Sequence, residues 1–100
     1  MVIIAHKSIR FYSAKHPESA KALADWYEKT RAADWSNIND VRATFGYADH
    51  VGGDRVVFNI RGNHARLVAA IVYETRTVYI KFIGTHEEYN QIDVKTISLY

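Results

Sequence analysis

The segment GTHEEY, from Gly84 to Tyr89, joins a helix-start signal to two side chains that can do chemistry. Thr85 with Glu88 three residues later is a capping box pattern, in which each side chain accepts a hydrogen bond from the other residue's backbone N–H. A helix starting there carries His86 in its first turn. Because a histidine exchanges protons near neutral pH and a tyrosine stacks on bases, the segment is a helix start, part of an active site, or both.

Positive charge is concentrated in the segment 55–81, which holds five basic residues and one acidic residue. Residues 1–54 carry seven charges of each sign, and residues 82–100 carry one lysine against three acids. A local basic field favours an anionic partner, most often phosphate. A basic pair of surface strands without a ligand is the alternative that charge alone leaves open. The basic residues are Arg55, Arg61, Arg66, Arg76 and Lys81.

The same segment predicts three antiparallel strands, because its apolar residues alternate with a period of two from Arg55 onward. The predicted core face holds Val56, Phe58, Ile60, Leu67, Ala69, Ile71, Tyr73, Val78, Ile80 and Phe82. The opposite face holds Arg55, Val57, Asn59, Arg61, Arg66, Val68, Ala70, Val72, Tyr79, Lys81 and Ile83. The sheet therefore has a second face that is rich in cations.

The strand register follows from keeping the apolar sets together, since opposed residues in a hairpin share a face. Pairing Ile60 with Leu67 places Arg61 opposite Arg66, and the next hairpin places Thr85 opposite Arg66 on the other side. An anion between the two arginines would offset their repulsion. A helix N-terminus also attracts anions, so both arguments predict phosphate near Arg66.

These residue types fit the cleavage of an RNA phosphodiester by its own 2′-hydroxyl. That reaction requires a base, an acid for the leaving 5′-oxygen and cations for the charged phosphorane, but no metal or cofactor. Arg66 is the best candidate for gripping the phosphate, with Arg61 and Lys81 as further cations. His86 fits proton transfer, and Tyr89 fits base stacking or a phosphate hydrogen bond.

Each candidate also has a purely structural interpretation. Arg61 can be a solvated turn residue, Asn59 and Asn63 can be turn formers, and Tyr89 can belong to the core. The remaining histidines lack metal-ligand spacing, so no metal site is predicted.

The first half of the chain is predicted to be mainly helical. A short buried strand, Met1–Ala5, precedes a helix over Lys7–His16, and a second helix runs from Pro17 to about Ala33. A short third helix follows, capped by Ser36 or Asn37, and an irregular edge or loop leads to the strands. The expected fold is one α+β domain covering residues 1–100.

Composition excludes several classes of function. The chain has no cysteine, so disulfides and thiolate chemistry are impossible. Its apolar runs are too short to span a bilayer, and its N-terminus has neither the basic region nor the cleavage site of a signal peptide. We therefore expect a soluble cytoplasmic protein without membrane contact.

The stretch from Val57 to Tyr89 resembles the HigB family of bacterial toxins, in the RelE/ParE superfamily. The motifs that carry the resemblance are FN (Phe58-Asn59), GN (Gly62-Asn63), RLV (Arg66–Val68) and GTHEEY. The resemblance implies a RelE-like fold, with N-terminal helices on a small twisted, mainly antiparallel sheet of three to four strands and a short C-terminal helix. It also implies a type II toxin that cuts mRNA on the ribosome and blocks translation. The implied partner is a HigA-like helix-turn-helix antitoxin. The toxin would bind operator DNA only indirectly, through this antitoxin.

Residue by residue, the resemblance implies that Arg66 binds phosphate. Asn59 stands where related nucleases place a basic catalytic residue, and an amide cannot act as a base. This departure shifts the proton-transfer role to His86, with Lys81 as a second candidate, and Tyr89 lies near the family's functional tyrosine. The proposed catalytic set is therefore His86, Arg66, Lys81 and Tyr89, and the RNA-binding set is Asn59, Arg61, Asn63 and Arg55.

Two other functions stay open at this point. Relatives on the same fold poison DNA gyrase, which would not require His86. A non-catalytic module that binds RNA or the ribosome is the second alternative.

Overall fold

A computed structural model describes residues 1–62 and 64–100 of the chain. A short strand and three helices come first, and four strands and a last short helix follow among these residues. The helices are α1 (His6–Lys15), α2 (Ala20–Ala32), α3 (Ile38–Thr44) and α4 (His86–Tyr89). The strands are β1 (Val2–Ile4), β2 (Asp49–Gly52), β3 (Arg55–Ile60), β4 (Ala65–Val72) and β5 (Thr77–Thr85).

The helices confirm the predicted positions with small changes at their ends. Asn37 caps α3, since its side chain accepts a hydrogen bond from the backbone N–H of Asp40 at 3.2 Å. Pro17 opens a single 3₁₀ turn, so α2 begins at Ala20 instead of Pro17. None of the helices in the described part of the chain is long and apolar enough to cross a membrane.

The strands form one mixed sheet in the order β1-β5-β4-β3-β2. The predicted meander β3-β4-β5 is confirmed, but the prediction of three to four strands was wrong, because the described residues form a sheet of five. The predicted irregular edge pairs with β3 as β2, and β1 joins the other edge parallel to β5. The prediction that β1 is buried was also wrong. As an edge strand it leaves Val2 58% and Ile4 46% exposed.

The two predicted hairpin registers were wrong by small shifts. Ile60 pairs with Ala65, which places Asn59, and not Arg61, opposite Arg66. On the other side Arg66 lies opposite Gly84 instead of Thr85. A slip of two residues keeps every side chain on its face, so the apolar pattern does not distinguish registers that differ by two.

A β-bulge in β5 accounts for a further difference. Val68 pairs with Phe82 and Ala69 pairs with Ile80, which leaves Lys81 as the extra residue. Because a bulge reverses the alternation beyond it, Phe82 turns to the second face and Ile83 to the main core. The predicted faces of these two residues were therefore exchanged.

The main core lies between the helices and the first face of the sheet. Phe58 is fully buried there and makes edge-to-face ring contacts with Trp26 and Phe45, each at 5.4 Å between ring centroids. Trp35 is also buried, and its indole N–H donates to Thr44 Oγ1 at 3.1 Å. Aromatic pairs of this geometry stabilise beyond their burial, which gives the sheet a rigid support.

The second face of the sheet is only partly covered. Val57, Val68 and Phe82 form a small cluster there, and the C-terminal segment packs on it. The Arg55 guanidinium holds this segment by donating to the backbone carbonyl of Ile97. The rest of the second face is left to the candidate site.

Candidate active site

The capping box at the start of α4 is confirmed. Thr85 Oγ1 accepts a hydrogen bond from the Glu88 backbone N–H at 3.1 Å, and Glu88 Oε1 accepts one from the Thr85 N–H at 2.8 Å. Because Thr85 is also the last residue of β5, the strand passes into the helix without a loop. The cap therefore fixes the position of Tyr89 relative to the sheet.

Arg66 and Tyr89 meet at an open groove on the second face. The guanidinium carbon of Arg66 lies 5.9 Å from the centroid of the Tyr89 ring, within the range of a cation–π contact. Arg66 Nη1 also donates to the Ala65 carbonyl at 3.4 Å. Asn59 lies directly opposite Arg66 on β3 and lines the same groove, whose volume is about 460 Å³.

The far wall of this groove was not predicted from the sequence. It consists of the segment Gly46–Asp49, where α3 ends and β2 begins. Tyr47 is 55% exposed there, and Asp49 pairs with Val57 of β3. Extending the strand register one strand further places Asp49 on this face, but the sequence of its segment is typical of a loop or irregular edge.

His86 faces a different depression. His64, Thr85, His86 and Glu87 line it, and the His86 backbone N–H donates to the His64 carbonyl at 3.2 Å. The Nδ1 atom of His86 is buried and has no hydrogen-bond partner among residues 1–62 and 64–100. The structure thus places His86 beside the groove of Arg66 and not among the residues that line it.

Three further predicted residues lie apart from the groove. Lys81, in the bulge, has its Nζ 5.5 Å from the Tyr79 ring centroid and lines a cavity of about 300 Å³ on the α1 side. Arg55 is engaged with the C-terminal segment. Arg61 is an exposed turn residue with a φ of 53°.

The positive charge of Arg61 acts on Glu18, which lies in the 3₁₀ turn before α2. The pKa of the Glu18 carboxyl is lowered, first by a hydrogen bond that its carboxylate accepts from its own backbone N–H, then by His16, and also by the charge of Arg61. Asn63, the remaining predicted residue, lies outside the described residues. The groove therefore brings together Arg66, Tyr89 and Asn59 from the predicted set.

Within the described ranges, no three His, Asp or Glu side chains come together as metal ligands do. The groove instead offers hydrogen-bond donors, one guanidinium, one carboxylate and two phenol rings. These groups suit a flexible anionic polymer with aromatic bases.

Comparison with known proteins identifies the family of this chain. A family model described as HigB_toxin, the RelE-like toxic component of a toxin-antitoxin system, matches residues 19–92. This chain belongs to the HigB toxin family. It is 27% identical over 94 residues to the mRNA interferase HigB of Escherichia coli O6:H1 (strain CFT073), a match that covers 92% of this chain and 91% of the relative. It is 26% identical over 92 residues to the mRNA interferase toxin HigB of Escherichia coli K12, covering 90% and 88%.

The span matched by the HigB family contains every residue that lines the groove. It includes the segment Gly46–Asp49 as well as the strands and the capped helix. The resemblance that the motifs between Val57 and Tyr89 predicted is thereby confirmed, and it extends to most of the helical half of the chain. Membership of the HigB family also implies an antitoxin partner.

Proposed function

We propose that this HigB-family chain is an mRNA interferase, an endoribonuclease that cuts messenger RNA on the ribosome and so blocks translation. The observation that supports this proposal best is the Arg66–Tyr89 pair at the open groove, 5.9 Å from guanidinium carbon to ring centroid. A guanidinium beside a half-buried aromatic ring offers one group for a phosphate and one for a neighbouring base. The printed names of the relatives support the same activity.

In the proposed reaction the 2′-hydroxyl oxygen of one nucleotide attacks the adjacent phosphorus. The P–O5′ bond then breaks, which leaves a cyclic phosphate on one fragment and a 5′-hydroxyl on the other. Arg66 donates two N–H groups to the phosphate oxygens, where negative charge develops in the transition state. Asn59, directly across the strands, donates its amide N–H to the same phosphate or to a base edge.

Tyr89 holds the RNA strand by stacking on a base next to the cleaved bond. Its ring packs partly against the apolar cluster on the second face, which limits its motion. Stacking of a base on an aromatic ring contributes about 1–3 kcal/mol. The capping box begins the helical turn that carries Tyr89, so in this proposal the cap supports RNA binding as well as the helix.

His86 and Lys81 remain proposals for proton transfer. His86 begins the short helix that Tyr89 ends, so an RNA strand that crosses the ring can also reach the neighbouring depression. There a protonated imidazole can give a proton to the leaving 5′-oxygen. Lys81 is the weaker candidate because its ammonium group lies over the Tyr79 ring, in the cavity on the α1 side and away from the groove.

The proposal is tested by in vitro translation with the cleavage sites mapped by primer extension. We expect Arg66→Ala to reduce cleavage by about 100-fold or more, since removing one preorganised donor to developing charge has an effect of that size. Arg66→Lys keeps the charge but loses the two-point grip, so its activity falls between those of wild type and Arg66→Ala. Arg31→Ala is the matched control, because Arg31 lies on α2 and pairs with Glu28.

This assay, together with a measurement of DNA breaks in expressing cells, separates the remaining alternatives. Cleavage by Arg66→Ala at the wild-type rate would contradict the proposed groove. Intact mRNA together with double-strand DNA breaks would favour the gyrase alternative. Loss of cleavage in folded His86→Ala supports its proton-transfer role, and unchanged cleavage excludes that role without affecting the groove.

A further inference from the structure

Across the groove from Arg66 lies one charged residue to which the function proposed above gives no role. Asp49, the first residue of β2, is exposed and lines the groove. Among residues 1–62 and 64–100, no hydrogen bond or ion pair to the Asp49 carboxylate is found. The carboxylate is therefore available to a bound molecule.

The strand register places Asp49 on the same face as the proposed phosphate site. Asp49 pairs with Val57 of β3, and Val57 pairs with Val68 of β4. Opposed residues share a face, and Val57 and Val68 form the small cluster on the second face. Arg66 lies two residues from Val68 along β4, so Asp49 and Arg66 stand on one surface.

Strand geometry gives the approximate distance between Asp49 and Arg66. Two strand spacings and two residues along the strand separate the backbones of Asp49 and Arg66 by roughly 12 Å. Both side chains lean over the same groove.

The other groove residues are poor proton acceptors at neutral pH. A guanidinium is permanently protonated, and the amide of Asn59 has no basic site. Tyr47 and Tyr89 carry phenol groups, and a phenol is a weaker proton acceptor than a carboxylate. Among the described residues that line the groove, Asp49 is the one that carries a carboxylate.

We propose that Asp49 is the proton acceptor of the reaction, taking the proton from the 2′-hydroxyl of the nucleotide whose phosphate Arg66 holds. This inference rests on the proposed endoribonuclease function and names a catalytic residue for it. The 2′-oxygen forms its bond to phosphorus as the O–H proton moves to Asp49. The P–O5′ bond breaks, and the leaving oxygen takes a proton from a neighbouring acid or from water.

Several charged and titratable groups surround Asp49. Arg66 faces it from β4, and Tyr47 and Tyr89 line the groove beside it. Arg42 of α3 donates its Nε–H to the Ala48 carbonyl at 3.3 Å, next to Asp49 in the chain. Lys95 brings its side chain beside Gly52 at the other end of β2. The charged side chains that these elements bring near Asp49 are those of Arg66, Arg42 and Lys95, and all three are positive.

The test compares wild type, Asp49→Asn and Asp49→Glu in single-turnover cleavage on translating ribosomes across a range of pH. Loss of a general base lowers the rate by about 100- to 10,000-fold, so we expect this loss for Asp49→Asn. RNA binding should be unchanged or tighter, because the substitution removes a negative charge from the groove. The decline in rate at low pH should disappear in Asp49→Asn, and Asp49→Glu should recover part of the activity.

The control is Asp25→Asn, an exposed aspartate on α2 that pairs with Lys29 at 3.2 Å. The thermal unfolding midpoint of each variant separates a lost proton acceptor from a lost fold. Cleavage by Asp49→Asn within about threefold of wild type, with the same pH profile, would overturn the inference while the proposed function stands. If Asp49→Asn lost affinity for RNA while its single-turnover cleavage rate stayed that of wild type, the inference would also be overturned. A wild-type protein that cuts no RNA would overturn both proposals.

Discussion

Gly84, the first residue of the GTHEEY motif, lies where the sheet leaves no room for a side chain. A Cβ atom at this position would stand 2.3 Å from Cζ and 2.9 Å from Cε2 of Phe82, and 3.2 Å from Oε1 of Glu88. Phe82 is only 5% exposed and packs against Val57 and Val68, so its ring cannot move away freely. We expect Gly84→Ala to lower the free energy of unfolding by about 1–3 kcal/mol through overpacking. Contact with Glu88 can add the loss of part of the capping box, about 1 kcal/mol.

Urea denaturation measures this loss, and the thermal midpoint should fall by about 4–8 °C for each kcal/mol. Gly46→Ala is the matched control, because a Cβ there meets nothing within 4 Å. Phe82→Leu removes the clashing ring atoms, so the double variant should regain stability and give a coupling energy of about 0.5–3 kcal/mol. If Gly84→Ala were as stable as Gly46→Ala, or if Phe82→Leu gave no coupling, a steric clash at Gly84 would be excluded.

Three other changes test separate parts of the structure. Thr85→Ala removes the side-chain cap of α4 and should lower the free energy of unfolding by about 1 kcal/mol in urea, whereas an unchanged midpoint would contradict the role of the cap. Arg55→Ala frees the Ile97 carbonyl, so the backbone amides of the C-terminal segment should exchange hydrogen faster than in wild type, while those of β4 should not. Exchange of the C-terminal amides at the wild-type rate would contradict the anchoring. Burial raises the pKa of Tyr12, aided by the charges of Glu88 and Glu18. Its contribution to stability is therefore complete below its unfolded pKa near 10 and is lost as pH rises through its higher folded pKa. When unfolding is followed as a function of pH, the stability of Tyr12→Phe should fall less at alkaline pH than that of wild type. An equal fall would contradict this role of Tyr12.

The sequence predicts the elements of this fold because local rules determine them. The capping box requires only Thr85 and Glu88 at the correct spacing, and the Asn37 cap of α3 is equally local. The alternation of apolar residues predicts which face most residues of β3 and β4 occupy. That alternation is enough to place Arg66 and Asn59 together on the second face.

Register and bulges depend on the turns, and these carry a weaker signal. Arg61 and Arg76 both adopt positive φ at turns, where glycine or asparagine would be the recognisable residue. The bulge at Lys81 has no glycine to mark it, so the exchange of Phe82 and Ile83 between faces is invisible in the pattern. Asp49 was missed for a related reason, because its four-residue edge strand ends in Gly52 and is followed by Gly53, and such a sequence is typical of a loop.

The chemistry proposed for the groove of Arg66 depends on attack by the 2′-hydroxyl of the RNA. A translated message that carries a single 2′-deoxy nucleotide at a mapped cleavage site, with the all-ribose message beside it, tests this dependence without altering the protein. We expect the wild-type toxin to cut the all-ribose message and leave a cyclic phosphate and a 5′-hydroxyl, while the deoxy-substituted bond stays intact. Cleavage of the deoxy-substituted bond at the same rate would contradict the proposed mechanism.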